Sequence, residues 1–176
     1  GGIHRTRVER REKREKPPAR YDRTTLQREA NRELGFTAQQ TLDYLQSLYE
    51  KRLVTYPRTD SRYLTDGMAA MVPALVSVAA KLLGAYTPAS INAEQVCNSS
   101  RVTDHHAVVP TPSAASANLA ALPDGESAVL RLVSRQFLCS VSMPFVYDDT
   151  PAYDECAGHT LHARGQAHLH PGWADT

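Results

Sequence analysis

Thr37, with Gln40 three positions later, heads a segment in which Leu42, Leu45, Leu48 and Tyr49 recur at helical spacing. This pairing of a hydroxyl and an amide is a capping box, and it predicts a helix starting there. A second box, Thr24 with Gln27, stands just upstream, and Gly35 between the two supplies a stop. The basic Lys51 and Arg52 suit the carbonyl end of the second helix. The chain then enters Leu53-Val54-Thr55, which favours extended backbone. Two amphipathic helices, a short turn and a strand behind them make a helix-turn-helix-like, CAP-like unit, a shape that many DNA-binding modules use. It is also the commonest way to pack two such helices, so the shape alone leaves function open.

The remaining elements follow from similar signals. Thr65 or Asp66 is placed to cap a short helical turn, and Pro73 to open a helix running through Leu75, Val76, Ala79, Leu82 and Leu83 to Gly84. Residues 85–100 are polar and broken by Pro88 and Asn92, as in a surface loop. Asp124 is placed to cap a helix with Val129, Leu132, Val133, Gln136 and Phe137 on one face and Arg131 and Arg135 on another, ending before Met143-Pro144. Beyond Phe145 the period changes to two. Thr160-Leu161-His162-Ala163 and Ala167-His168-Leu169-His170 flank Arg164-Gly165-Gln166, which predicts a hairpin. The fold class is α+β, predominantly helical.

The chain's 176 residues suffice for one ordinary domain, or for one domain with pieces of a neighbour. A formal net charge of +1 gives no global attraction to nucleic acid, so any such affinity needs a local basic surface. Gly1 to Arg20 carries Arg5, Arg7, Arg10, Arg11, Lys13, Arg14 and Lys16, and reads as a solvated linker or as an arm that tracks phosphates. Cys97, Cys139 and Cys156 show no pairing pattern and fit a reducing cytosol. No apolar run is read as long enough to cross a bilayer, and no signal peptide or internal repeat is visible, so a soluble, cytoplasmic protein is expected.

The chemistry concentrates at Tyr56-Pro57-Arg58. In extended backbone alternate side chains share a face, so Tyr56 and Arg58 point together while Pro57 points away. A phenol with a reference pKa near 10 is only about one part in a thousand phenolate at neutral pH, and as a nucleophile it needs help. A guanidinium beside it offers a planar fork matched to phosphate oxygens and stabilises charge that develops on them. The pair therefore suits attack on a phosphodiester. The plainer reading makes Tyr56 a half-buried strand aromatic and pairs Arg58 with Asp60.

A second candidate is Asp104-His105-His106, ahead of Ala107-Val108-Val109-Pro110. Adjacent histidines in extended backbone cannot both face one pocket, and a histidine beside apolar residues is commonly structural. Cys156, His159, His162, His168 and His170 are of the right types for zinc. With no paired C-x-x-C and His168 and His170 alone on one strand face, no metal site is assigned there.

The run Leu53-Val54-Thr55-Tyr56-Pro57-Arg58-Thr59-Asp60-Ser61, with Leu48-Tyr49-Glu50 before it and Tyr63-Leu64-Thr65 after, resembles the active-site signature of type IA DNA topoisomerases, G-[LI]-[IV]-T-Y-x-R-T-D-S. Arg52 stands where the family usually has glycine. The likeness extends through Thr24-Thr25-Leu26-Gln27 and through Thr103 to Pro110, the latter pointing to the topoisomerase III branch. It implies that Tyr56 attacks a single strand and becomes joined to a 5′ phosphate, so that DNA topology changes without ATP. It implies catalytic roles for Tyr56, Arg58 and His105, and DNA contacts from Arg58, Thr59, Asp60, His105 and His106. His105 aligns with the histidine that contacts the scissile phosphate, with Asp60 or Asp104 as candidate orienting partners.

The resemblance also implies an architecture. Residues 1–20 would leave a β-rich hinge domain, 21–146 would form the helical domain bearing the tyrosine, and 147–176 would return to the hinge, with short β segments at both ends. Family members bind magnesium through a glutamate and an Asp-x-Asp-x pattern in a separate N-terminal domain. Nothing here matches that pattern, and Asp148-Asp149 lacks its spacing. The chain is thus expected to be a fragment whose missing N-terminal metal-binding domain supplies the Mg2+ ligands. No metal is expected to bind to it, it should not relax DNA alone, and single-stranded DNA is its expected partner. The alternatives are a non-catalytic helix-turn-helix DNA-binding module, and a tyrosine recombinase, in which the tyrosine comes late, after its arginines and histidine, whereas here it comes first.

Overall fold

In the computed structural model, residues 18–142 are described, except 86 and 89. Four α-helices dominate them: α1 (Arg23–Leu34), α2 (Ala38–Glu50), α3 (Val72–Leu83) and α4 (Asp124–Val141). Short 3-10 turns at Asp66–Met71, Ala93–Val96, Ser99–Arg101, Pro112–Ser116 and Leu119–Ala121 fill the connections. The expected helical character holds. Extended segments meet only as isolated bridges, Tyr21 with Val108, Val54 with Pro110, Leu64 with Cys97 and Ile91 with Ser142. The strand expected at Leu53-Val54-Thr55 is thus a single bridge, and no regular sheet forms among the described residues.

The capping box at Thr37 forms as expected, with both reciprocal hydrogen bonds present. The one at Thr24 does not. Asp22 lies two residues earlier, and its carboxylate accepts from the Thr25 N–H at 2.7 Å, so α1 starts before Thr24. A carboxylate at the positive end of a helix competes well with a hydroxyl, because charge strengthens the bond. Gly35, with φ of 74°, ends α1, and Gly84, with φ of 65°, ends α3. Pro73 lies in the first turn of α3 as expected. Asp124 is the first residue of α4 instead of its cap, which is Pro123.

The core divides into two apolar clusters. Leu26, Leu45, Leu48, Leu53, Val54, Val78, Val129, Leu130, Leu132 and Val133 belong to one, while Leu64, Leu75, Val76, Ala79, Val96, Phe137 and Leu138 belong to the other. Helices α3 and α4 run through both. The segment 107–109 is the wall between them, because Val108 packs into the first cluster and Ala107 and Val109 into the second.

Three further expectations change. Residues 85–100 are not wholly surface loop: Val96 is fully buried, and Leu64 and Cys97 bridge. A stretch of 18 residues, Asp66–Leu83, does have the length and apolarity to cross a membrane. It begins as a 3-10 turn, and its helical part buries Val72, Leu75, Val76 and Ala79 in the second cluster, so it serves here as a core element. Cys139 is disulfide-bonded, whereas Cys97 is a free thiol, so the cysteines are not uniformly unpaired. The basic residues Arg5 to Lys16, the hairpin, the zinc-like cluster and both ends of the expected β-rich domain lie outside the described residues.

Candidate active site

The site begins with how the chain leaves α2. The Arg52 N–H donates to the Tyr49 carbonyl at 2.8 Å and the Leu53 N–H to the Leu48 carbonyl at 2.9 Å, the two bonds of a Schellman ending. Leu48 and Leu53 pack together in the first cluster. Such an ending needs one left-handed residue, and Arg52 fills it with φ of 65°. The glycine of the signature is the residue type this conformation favours.

From there the chain is tied to the segment preceding the 3-10 turn at Pro112–Ser116. Val54 bridges Pro110, and the Thr111 N–H donates to the Leu53 carbonyl at 3.1 Å. The Thr55 N–H donates to Val109 O at 3.0 Å, while the Thr55 hydroxyl donates to Ala107 O at 3.1 Å and accepts from the Val109 N–H at 3.0 Å. Four residues on, the Thr59 hydroxyl donates to the main-chain oxygen of His105 at 2.8 Å and accepts from the Ser61 N–H at 3.1 Å. These bonds bring the tyrosine loop and the histidine loop side by side.

Burial alternates along the loop. Pro57 and Thr59 are buried, whereas Tyr56 is half-buried and Arg58 and Asp60 are exposed. The period of two therefore holds without a sheet, and it faces Tyr56, Arg58 and Asp60 outward. The His105 ring lies 4.3 Å from the Tyr56 ring, centroid to centroid, tilted by 40°. On the other side Tyr49 meets Tyr56 edge-on, at 5.4 Å and 76°. The phenol is thus held between a second tyrosine and an imidazole, the tyrosine in the edge-on arrangement that aromatic pairs favour.

The structure separates the expected site residues. Tyr56 and His105 meet directly. Arg58, two residues from Tyr56, is exposed and makes no ion pair among the described residues; its expected alternative, a pair with Asp60, does not form. Thr59 is only 4% exposed, with its hydroxyl engaged, so it is a tie between loops and its side chain is not available to DNA. His106 is half-buried, and its Nδ1 donates to the Ala107 carbonyl at 2.8 Å. No hydrogen bond joins the His105 ring to Asp60 or Asp104 among the described residues. Tyr49 was legible only as a helical apolar position; its exposure, 38%, at the end of α2 gives its different place away.

The described geometry is a phenol packed between a second tyrosine and an imidazole, two residues from an exposed arginine, on a helical scaffold. Comparison with known proteins identifies the family. The chain belongs to the DNA topoisomerase family, whose sequence model matches residues 3–176. It is 33% identical over 177 residues to DNA topoisomerase 3 of Bacillus thuringiensis strain Al Hakam, an alignment that covers 96% of this chain and 24% of the relative. To DNA topoisomerase 3 of Bacillus licheniformis it is 37% identical over 166 residues, covering 89% of this chain and 22% of the relative. Full-length topoisomerase I from Thermotoga maritima superimposes with a TM-score of 0.53 at 26% identity, over 75% of this chain and 22% of that one. The chain thus spans about a quarter of the length of its curated relatives. The resemblance read from the signature stands.

Proposed function

We propose that this chain is the tyrosine-bearing section of a type IA topoisomerase of the topoisomerase III branch, and that its substrate is single-stranded DNA. Tyr56 Oη attacks a backbone phosphorus, the bond to the 3′ oxygen breaks, the phenolic proton passes to water, and the 3′ oxygen takes up a proton as the leaving hydroxyl. The new 5′-phosphotyrosine ester keeps the energy of the broken bond, so the reverse attack reseals the strand without ATP. In this reading Arg58 and His105 hold the non-bridging oxygens and offset the charge that grows on them. The observation that carries this reading is the packing of His105 against Tyr56 at 4.3 Å, with the exposed Arg58 two residues away.

Magnesium enters this reading only through the rest of the protein. Among the described residues no group of three or more His, Cys, Asp or Glu side chains is placed to hold a metal ion. In this reading its carboxylate ligands lie elsewhere in the protein, and without them these 176 residues bind single strands weakly and do not relax DNA.

The test is capture of a 3′-labelled single-stranded oligonucleotide by the full-length protein, quenched with denaturant. Label that travels with the protein, and is lost in Tyr56→Phe, is the expected result. Capture from a 5′-labelled strand alone would mean a 3′ linkage and would overturn the assignment. No capture from either end in the presence of magnesium leaves the non-catalytic DNA-binding module as the better account.

A further inference from the structure

Beside the two loops that carry Tyr56 and His105, Tyr63 and Arg101 meet Arg20, which precedes α1, in a cluster of positive charge. Arg20 is 5% exposed, and its Nε donates to the Arg62 carbonyl at 2.7 Å. Its guanidinium carbon lies 4.9 Å from the centre of the Tyr63 ring, and that of Arg101 lies 5.3 Å from the same ring. Both partners are fixed to the site. The Tyr63 carbonyl accepts from the Ala107 N–H at 2.9 Å, and the Arg101 carbonyl accepts from the Ser61 hydroxyl at 2.8 Å.

A charge taken out of water is ordinarily matched by one of opposite sign. Here no carboxylate among the described residues pairs with Arg20 or Arg101, whereas the neighbouring Arg62 does have one, Asp22. Burial without an acid beside it holds the Arg20 guanidinium down at about 10. An aromatic face offers two cations some compensation, but it carries no net charge. Two guanidiniums on one ring, Arg101 exposed and Arg20 buried, concentrate positive charge there, and the exposed fork of Arg101 is open to phosphate oxygens.

We propose that Arg101, Tyr63 and Arg20 form a second strand-binding position, which holds a phosphodiester other than the one attacked by Tyr56. The inference rests on the single-stranded DNA substrate of the function proposed above. Arg101 makes the contact, Tyr63 fixes its direction, and Arg20 adds buried charge. The position lies beside the loops of the nucleophile and the histidine, so a strand entering the site can run over both.

The experiment titrates the 176-residue chain with a fluorescent single-stranded oligothymidylate over a range of salt concentrations. Arg101→Gln is expected to weaken binding several-fold at low salt and to reduce the salt slope by about 0.7, the loss of one phosphate contact on a single strand. Arg101→Lys keeps the charge and should keep the slope, which a purely structural role would not require. Circular dichroism of the Gln variant confirms that the fold is retained. An Arg101→Gln titration that superimposes on the parent at every salt concentration overturns the position, as does a parent chain that shows no binding. The two proposals fail separately: covalent capture with an unchanged slope sinks only the second position, and a reduced slope without capture sinks only the strand cleavage.

Discussion

Thr59 donates its hydroxyl to the main-chain oxygen of His105 across 2.8 Å, so the loop of the tyrosine sets the position of the histidine. The same hydroxyl accepts from the Ser61 N–H, which leaves it fully engaged in a nearly buried place. Replacing it by a methyl would strand both partners. Thr59→Val is therefore expected to cost about 1–3 kcal/mol of stability, as buried polar groups lose their partners. In the full-length protein it should also slow covalent capture of DNA by about tenfold or more, because His105 shifts from the Tyr56 ring. Thr59→Ser keeps the hydroxyl and should recover most of both. A thermal melt and the capture rate check the pair; normal capture in a destabilised Val variant would show that the tie does not position His105.

Arg52 adopts φ of 65° without being glycine. Left-handed backbone costs a side chain about 1 kcal/mol or more, and glycine adopts it freely, though its unfolded chain loses more entropy on folding. Arg52→Gly is expected to raise stability by about 0.5–1 kcal/mol. Denaturant midpoints at unchanged slope measure this directly. A drop in stability would mean that the arginine side chain gives more than the backbone conformation costs.

The first turn of α4 lies against α2 at Gly125, where an added Cβ would run into the ring of Tyr44. That ring is itself packed on Phe36, with centroids 5.1 Å apart, so moving aside costs it that contact. Gly125→Ala should cost about 1–3 kcal/mol despite alanine's better helix propensity. The double variant Gly125→Ala/Tyr44→Leu should lose less than the sum of the two single changes, since the leucine vacates the space. Additive losses would place the effect elsewhere.

Tyr21 is 1% exposed, and its hydroxyl has no hydrogen-bond partner among the described residues. Burial, followed by the nearby Glu29, drives its ionisation far above the ordinary value of 10.0. In the unfolded chain the phenol ionises near that ordinary value, so the folded form retains a proton that the unfolded form releases. Its contribution is fully present below pH 10 and is lost progressively above it. Tyr21→Phe should remove that part of the alkaline decline. At neutral pH it should also raise stability by about 1 kcal/mol, by deleting the unsatisfied hydroxyl. Chemical denaturation at pH 7 and above pH 10 tests both; parallel pH curves for the two proteins would mean that another group controls the alkaline limit.

The helices were legible where one signal dominated. Thr37 with Gln40, Gly35, and Pro73 each marked an element that forms as read. At Thr24 two caps competed within three residues, and spacing alone does not weigh the carboxylate of Asp22 against a hydroxyl. The outward set of Tyr56, Arg58 and Asp60 was legible because alternation survives in any extended backbone. Whether Leu53-Val54-Thr55 would find a ladder or a single bridge was not, since that depends on Pro110, which has no N–H to extend the pairing. The nearness of His105 to Tyr56 spans a separation no local pattern reports. It came instead from the family resemblance, and the ties from Thr55 and Thr59 supply its physical cause.

The segment 107–109 presses one side chain into one half of the core and its two neighbours into the other. It is a keystone: drawing it out would loosen both halves at once. Thr55 and Thr59 moor the loop of Tyr56 to this segment and to His105, so disturbing the keystone would disturb that pair of rings as well.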